Sequence, residues 1–572
     1  MSFTSSTFIL GFYPIILLVY WLLRHRYSAS LAFSWLSLCS ILLYGWWNST
    51  HLPVLVASLV ANYALGFWLS RVPGSKPRLK ALSLAAGIAV NIFALGYYKY
   101  LFFFVDIVNT ALQTSYVATA TDIPLGISFL TFVQIAFLID VYNGTSIRSS
   151  FLHYCVFITF FPKLIAGPIV RHEQFLPQLL VTSKNSSSRT ADIAEGLTVF
   201  ALGLFKKVVL ADSLGRGVDP LFASISAGTD PSFVEAWIGV LSYTFQLYFD
   251  FSGYTDMAIG LAQTFGISLP QNFNSPYSPY SPYKATSITD FWRRWHITFS
   301  TFLRDYLYIP MGGNRKGIFR QHGNLLATMV LGGLWHGANW TFIIWGALHG
   351  VFLIVNHIWM KMNFPCPPLL GRTITFLSVV VAWGWFRVDN VSSGVRLCKS
   401  LVGFNGLLPT EASVKTFFRA IQTPSRNYEF LWSILHDLGV AVSFGERTIY
   451  PMDILLSDMA LTIVLLLTSA IITFYSPNTQ EWLQSQKQHE RRGFTFGRAI
   501  LVGLLFYAAF LASISVEKGS FIYRQSSSCR HSSTSHMPLL RPCSSVSYIC
   551  RSSFINWGLR CKPSIGCMNR PL

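Results

Sequence analysis

Charge is scarce in this chain: Asp, Glu, Lys and Arg together make up 12% of 572 residues, against about a quarter in soluble proteins. Beside 52% hydrophobic residues, so little charge excludes an ordinary water-soluble domain. Acidic side chains are the scarcer sign, 24 against 43 basic ones, which leaves a formal net charge of +19. Several signatures of chemistry are missing as well. There is no HExxH array, no nucleophilic serine elbow, no Gly-rich phosphate loop and no close carboxylate pair. The nine cysteines lack paired metal-ligand spacing, so neither a zinc site nor a bound cofactor is expected, and Cys39 and Cys155 fall in apolar runs where an inert buried thiol is the ordinary state. No repeat of 20 to 50 residues is visible, and no linker divides residues 1–523, which read as one membrane domain.

What is present is a succession of apolar runs. About 20 apolar residues cross a bilayer, and such runs occupy 7–23, 31–47, 52–69 and 81–105, so four spans are expected before residue 110. Further candidates are 124–142, 151–169, 193–211, 233–249, 325–354, 373–386, 459–474 and 496–514. The fold class expected is an all-α polytopic integral membrane protein with roughly 11–13 transmembrane or re-entrant helices. The first run lacks a cleavage site of small residues and reads as a retained helix. Arg24 and Arg26 fall on the same side as Arg71, Lys76, Arg78 and Lys80, while 106–122 carries no Lys or Arg; the positive-inside rule then places the N-terminus outside. Arg171 and Lys184 break that count if 151–169 crosses fully, so this segment is expected to enter and leave on one side. Basic residues in short loops serve orientation and contact with anionic lipid, so no nucleic-acid partner is expected.

Two segments differ from the rest. Ser-Pro-Tyr occurs three times in tandem over 275–283. After Tyr523, residues 524–572 turn Ser-rich and basic, hold five of the nine cysteines and contain no acidic residue, the composition of a disordered or frame-shifted end.

Ionisable side chains inside apolar runs are costly and mark function first. His336 stands in Leu331-Gly-Gly-Leu-Trp-His-Gly-Ala-Asn-Trp, apolar on both sides, and Asn339 three residues on is placed to share its helical face and orient the ring. The alternative is a histidine that only hydrogen-bonds a neighbouring helix. His296 follows Asp290-Phe-Trp-Arg-Arg-Trp, an alternation suited to an interfacial helix anchored by Trp292 and Trp295. Arg293, Arg294, Arg304, Arg315, Lys316 and Arg320 form a basic zone fit for lipid head groups or donor phosphates, or for orientation alone. Lys206, Lys207, Asp250 and Asp256 read as ion-paired structural groups. His51 and His172, at span ends or in loops, are expected to be solvated.

The chain resembles the membrane-bound O-acyltransferase family, in its alginate O-acetyltransferase-like bacterial branch. The resemblance is carried by Pro124-Leu-Gly-Ile-Ser-Phe-Leu-Thr-Phe, Phe161-Pro-Lys-Leu-Ile-Ala-Gly-Pro, Asp250-Phe-Ser-Gly-Tyr-Thr-Asp, Asp290-Phe-Trp-Arg-Arg-Trp-His, Tyr308-Ile-Pro-Met-Gly-Gly-Asn-Arg and Gly333-Leu-Trp-His-Gly-Ala-Asn-Trp. It implies that His336 and His296 are the catalytic histidines beside a central tunnel through the membrane. It implies acetyl-CoA or another cytoplasmic acyl thioester as donor, an exported alginate-like polysaccharide as acceptor, a periplasmic acetyltransferase or export protein as partner, and the bacterial inner membrane as location. Peptidoglycan, cellulose, teichoic acid or a lipid is an alternative acceptor, and a transporter without acyl chemistry an alternative function. Two extra Ser-Pro-Tyr units and the tail after Tyr523 depart from the family pattern.

Overall fold

A computed structural model describes residues 2–47, 49–118, 122–144, 150–180, 186–273, 281–407, 451–483 and 496–515, all within one compact unit, Met1–Cys529. Among them every regular element is a helix. Among the described residues six helices are long and apolar enough to cross a membrane: Thr7–Arg26, Ala29–Trp47, Ser49–Arg71, Pro77–Leu112, Trp340–Lys361 and Pro368–Arg387. The four spans expected before residue 110 are the first four of these. They leave large apolar side chains uncovered, Leu18 at 72% and Phe93 at 75% exposure, a surface that only lipid solvates well. Residues 1, 48, 274–280, 408–450 and the whole tail 524–572 lie outside the described residues, and with them the first two Ser-Pro-Tyr units.

The centre is built on the 32-residue helix Phe233–Thr264, about 48 Å long at 1.5 Å per residue. Its start is specified locally: Ser232 accepts from the Glu235 backbone and the Glu235 carboxylate accepts from the Ser232 backbone at 2.8 Å, a capping box. Glycines let the helix Ser186–Phe205 lie against it at backbone distance. A Cβ added at Gly196 would stand 2.6 Å from the carbonyl oxygen of Gly260, and one at Gly203 would stand 2.6 Å from that of Gly253. Where apolar burial is no driving force between helices, such close approach supplies the packing energy. Beyond it, the π-helical turn Lys206–Ala211 delivers two ammonium groups to the same partner. Lys206 pairs with Asp256 at 2.8 Å; Lys207 pairs with Asp250 at 3.0 Å and also with Asp212. The ion pairing expected of these residues is present.

Two expectations are corrected, on the run 325–354 and on His51 and His172, while the short helices of 151–169 agree with the expectation that this segment does not cross fully. The apolar run 325–354 is two helices, Ile318–His336 and Trp340–Lys361, because Gly337 takes an extended conformation (φ −164°, ψ 150°) and ends the first helix at the histidine itself. Segment 151–169 is the nine-residue helix Phe151–Thr159, a break at Phe160 and the single turn Phe161–Leu164. At about 14 Å, the longer piece cannot cross a hydrocarbon core of about 30 Å. His51 and His172 are buried, His172 between the rings of Phe137 and Phe157 at 5.1 and 5.2 Å.

Candidate active site

The helix break at Gly337 decides what His336 faces. As the last residue of its helix, it projects into a wall of aromatic rings: Trp335 at 4.9 Å, Phe386 at 5.0 Å, Trp345 at 5.1 Å and Phe299 at 5.4 Å between centroids. The residue is only partly buried although Trp335 and Gly337 on either side are buried. Among the described residues no protein group hydrogen-bonds its ring, so both nitrogens are available to a ligand.

Asn339 does not orient that ring. The extended backbone of Gly337 carries it away, and it caps the next helix instead: its Oδ1 accepts from the Thr341 backbone at 3.1 Å and its Nδ2 donates to the carbonyl of Asp389 at 2.6 Å. What holds the His336 backbone comes from elsewhere in the chain. Pro77–Leu112 is interrupted by a π-helical turn, Gly96–Tyr100. From it the Tyr100 hydroxyl donates to the carbonyl of Leu334 at 2.8 Å, and the Lys99 ammonium donates to the carbonyl of Trp335, reaches that of His336 at 3.4 Å and donates to Ser128 Oγ at 2.9 Å.

His296 reaches the same wall from the other side. Its ring stacks on Phe299 at 4.9 Å, the phenyl group that also neighbours His336, so the two predicted histidines are brought together. It lies on no interfacial helix. Trp292, Trp295 and His296 are 6%, 4% and 3% exposed, packed inside the protein where the short helices Ile288–Arg294 and Ile297–Leu303 meet. At that junction His296 adopts left-handed backbone angles (φ 44°, ψ 53°), unusual for a residue with a Cβ.

Asn272 secures the junction. Its carbonyl oxygen accepts from the Ile297 backbone at 3.0 Å, while its Oδ1 accepts from the Thr298 hydroxyl at 2.7 Å and lies 3.1 Å from His296 Nδ1. An oxygen that already accepts from Thr298 assigns the proton to Nδ1 and leaves the Nε2 lone pair of His296 open.

The basic zone divides. Arg294 is buried and pairs with Asp290 at 2.8 Å, so it is not free for a head group; Arg304 pairs with Asp305 at 2.6 Å but stays exposed, as do Arg293, Arg315, Lys316 and Arg320. One further histidine belongs to the neighbourhood. His349 is fully buried four residues after Trp345, ring to ring at 4.8 Å, and its Nδ1 accepts from Trp292 Nε1 at 3.3 Å. Lys99, Asn272 and His349 were not singled out from the sequence. Lys99 carried a usable signal, an ammonium in the middle of an apolar run.

A helical membrane body around two adjoining imidazoles, one of them open to a ligand, is the setting of a membrane-embedded transfer enzyme. The sequence profile of the membrane-bound O-acyltransferase family matches residues 16–392. The chain is 42% identical over 439 residues to a peptidoglycan O-acetyltransferase of Helicobacter pylori, covering 71% of this chain and 81% of that protein. It is 41% identical over 414 residues to a probable alginate O-acetylase AlgI of Azotobacter vinelandii, covering 71% and 78%. A teichoic acid D-alanyltransferase of Streptococcus thermophilus is 27% identical over 245 residues, 41% of this chain and 57% of that protein. The chain belongs to the membrane-bound O-acyltransferase family and is an acyltransferase.

Proposed function

We propose that the protein moves an acetyl group from a cytoplasmic thioester, acetyl-CoA or a close equivalent, to a hydroxyl of an exported glycan, with His336 as general base. The observation that carries this reading is the His336 ring: held at a helix terminus against Trp345 of the apolar helix Trp340–Lys361, partly open, and free of hydrogen bonds among the described residues. Imidazole exchanges protons near neutrality, and its neutral form is far cheaper than a permanent charge in such surroundings. His336 takes the proton of the attacking hydroxyl as the oxygen bonds to the thioester carbonyl carbon. The carbon–sulfur bond then breaks, and the same proton passes to the leaving thiolate. His296, with its proton fixed on Nδ1 by Asn272, uses Nε2 to orient the incoming hydroxyl.

Relatives at nearly equal identity carry peptidoglycan and alginate in their names, which supports an exported glycan as acceptor. The alginate O-acetyltransferase-like motifs of the chain favour an alginate-like polymer, received with the help of a periplasmic acetyltransferase or export protein. The enzyme then sits in the inner membrane, with donor and acceptor meeting through a tunnel from opposite faces.

The test is transfer of labelled acetyl groups from the thioester by the full chain in lipid nanodiscs, with alginate-type polymer and peptidoglycan offered as acceptors. The His336→Ala protein is expected to lose about 10² to 10⁴-fold in rate while folding normally. Equal labelling by both proteins refutes the assignment, and the acceptor that takes label identifies the glycan.

A further inference from the structure

We infer that Lys99 is a positioning residue for the catalytic histidine, holding the broken end of the His336 helix so that the imidazole stands in one place. This rests on the reading of His336 as general base. The last carbonyls of any helix have no amide partner within it. Here Gly337 leaves the helix in extended conformation, and the orphaned carbonyls of Leu334, Trp335 and His336 lie in partly buried surroundings where protein donors meet them.

All three meet donors from one short stretch of sequence more than 200 residues away: Tyr100 serves Leu334, and Lys99 serves Trp335 and reaches His336. An ammonium suits this place. It has three donors to distribute, and a positive charge complements the negative end of a helix dipole. Its third donor goes to Ser128 Oγ at 2.9 Å, while the Trp335 indole approaches the Ser128 carbonyl at 3.4 Å. Ser128 therefore ties the lysine and the residue preceding the histidine to one support, the start of the helix Ile127–Asn143. The π-helical turn Gly96–Tyr100 has a purpose in this arrangement, since the widened turn re-aims Lys99 relative to a continuous α-helix. Without the ammonium the helix end has two unmet carbonyls immediately before the reacting group, and the ring loses its fixed origin.

The experiment compares wild type, Lys99→Met and Lys99→Gln, full chain in nanodiscs, by steady-state kinetics with the acetyl thioester and by NMR of isotope-labelled histidine. The His336 signal is assigned by its disappearance in His336→Ala. Misplacement of a reacting group by about 1 Å costs on the order of 10²-fold in rate. Lys99→Met is expected to lower kcat by about that factor, with KM changed less than about twofold, and to shift or broaden the His336 resonance. Lys99→Gln, which keeps one amide donor, is expected to lie between, and it supplies the result should Lys99→Met not fold. Wild-type kcat with an unmoved His336 signal overturns the inference, as does a loss of kcat with the signal unmoved. Should His336→Ala itself transfer acetyl groups normally, the general-base reading fails; a His336 signal displaced in Lys99→Met then still supports the positional role.

Discussion

His296 combines two features that rarely coincide by accident: a left-handed backbone and a hydrogen-bonded, buried imidazole. A side chain with a Cβ holds that conformation at a cost of about 1 to 2 kcal/mol, and asparagine bears it most easily after glycine. The backbone is strained so that the short helices on either side can turn the ring toward Phe299 and His336. His296→Asn therefore separates fold from function. The variant is expected to melt within a few degrees of wild type in detergent, because the left-handed position is satisfied. Acetyl transfer is expected to fall by about 10²-fold, because no ring nitrogen remains to orient the hydroxyl. A variant that melts far below wild type, or that transfers at the normal rate, contradicts the role given to His296. His336 was legible from the sequence, since an ionisable side chain with apolar neighbours on both sides announces itself. His296 was legible as a residue but not in its setting: alternating Trp and Arg has the composition of an interfacial helix, and only tertiary packing shows that Trp292, Trp295 and Arg294 turn inward.

At the scale of helices, glycine rather than hydrophobicity sets the arrangement. Gly196 and Gly203 on one helix face Gly260 and Gly253 on the other, seven residues apart in each, so two carbonyl contacts fix the crossing that also delivers Lys206 and Lys207 to their carboxylates. Gly203→Ala forces a methyl group to 2.6 Å from the Gly253 carbonyl oxygen and 2.7 Å from the Met257 nitrogen, atoms of backbone that cannot rotate aside. A destabilisation of about 1 to 3 kcal/mol is expected, read as a lower melting temperature in detergent. Gly503→Ala, which meets nothing within 4 Å, is the control and should melt as wild type does. If the two variants melt alike, the close approach does not stabilise the fold. Apolar periodicity found these helices because lipid and protein both demand it. It could not find the break at Gly337, where the run from 325 to 354 stays apolar throughout and the interruption is dictated by Phe342 packing where a Cβ on residue 337 would lie. For the same reason Asn339 seemed a neighbour of His336 along a continuous helix and is instead the cap of the next one.

Across the molecule as a whole, the N-terminal helices and the segment bearing the histidines are joined by a polar clamp beyond the spans. Asp305 pairs with Arg171 and with Arg304, and the adjoining Tyr306 hydroxyl donates to Asp140 at 2.8 Å. Burial alone would raise the Asp305 carboxyl, but hydrogen bonds from Arg304 and Arg171 outweigh it and hold it below the ordinary range. A carboxyl depressed on folding stabilises the protein at every pH above its unfolded value, near 3.9. That contribution fades as pH falls through the lower folded value. Asp305→Asn is thus expected to melt below wild type at neutral pH, where the clamp is charged, and the gap should narrow on acidification below about pH 4 as the wild-type carboxyl takes up its proton. Arg304 is largely exposed, so the effect should be modest and should shrink in high salt. Melting curves of both proteins in detergent at neutral and acid pH decide the matter: a gap that stays constant, or widens toward acid, would show that the charge on Asp305 is not what joins Arg171 to the segment carrying the two histidines.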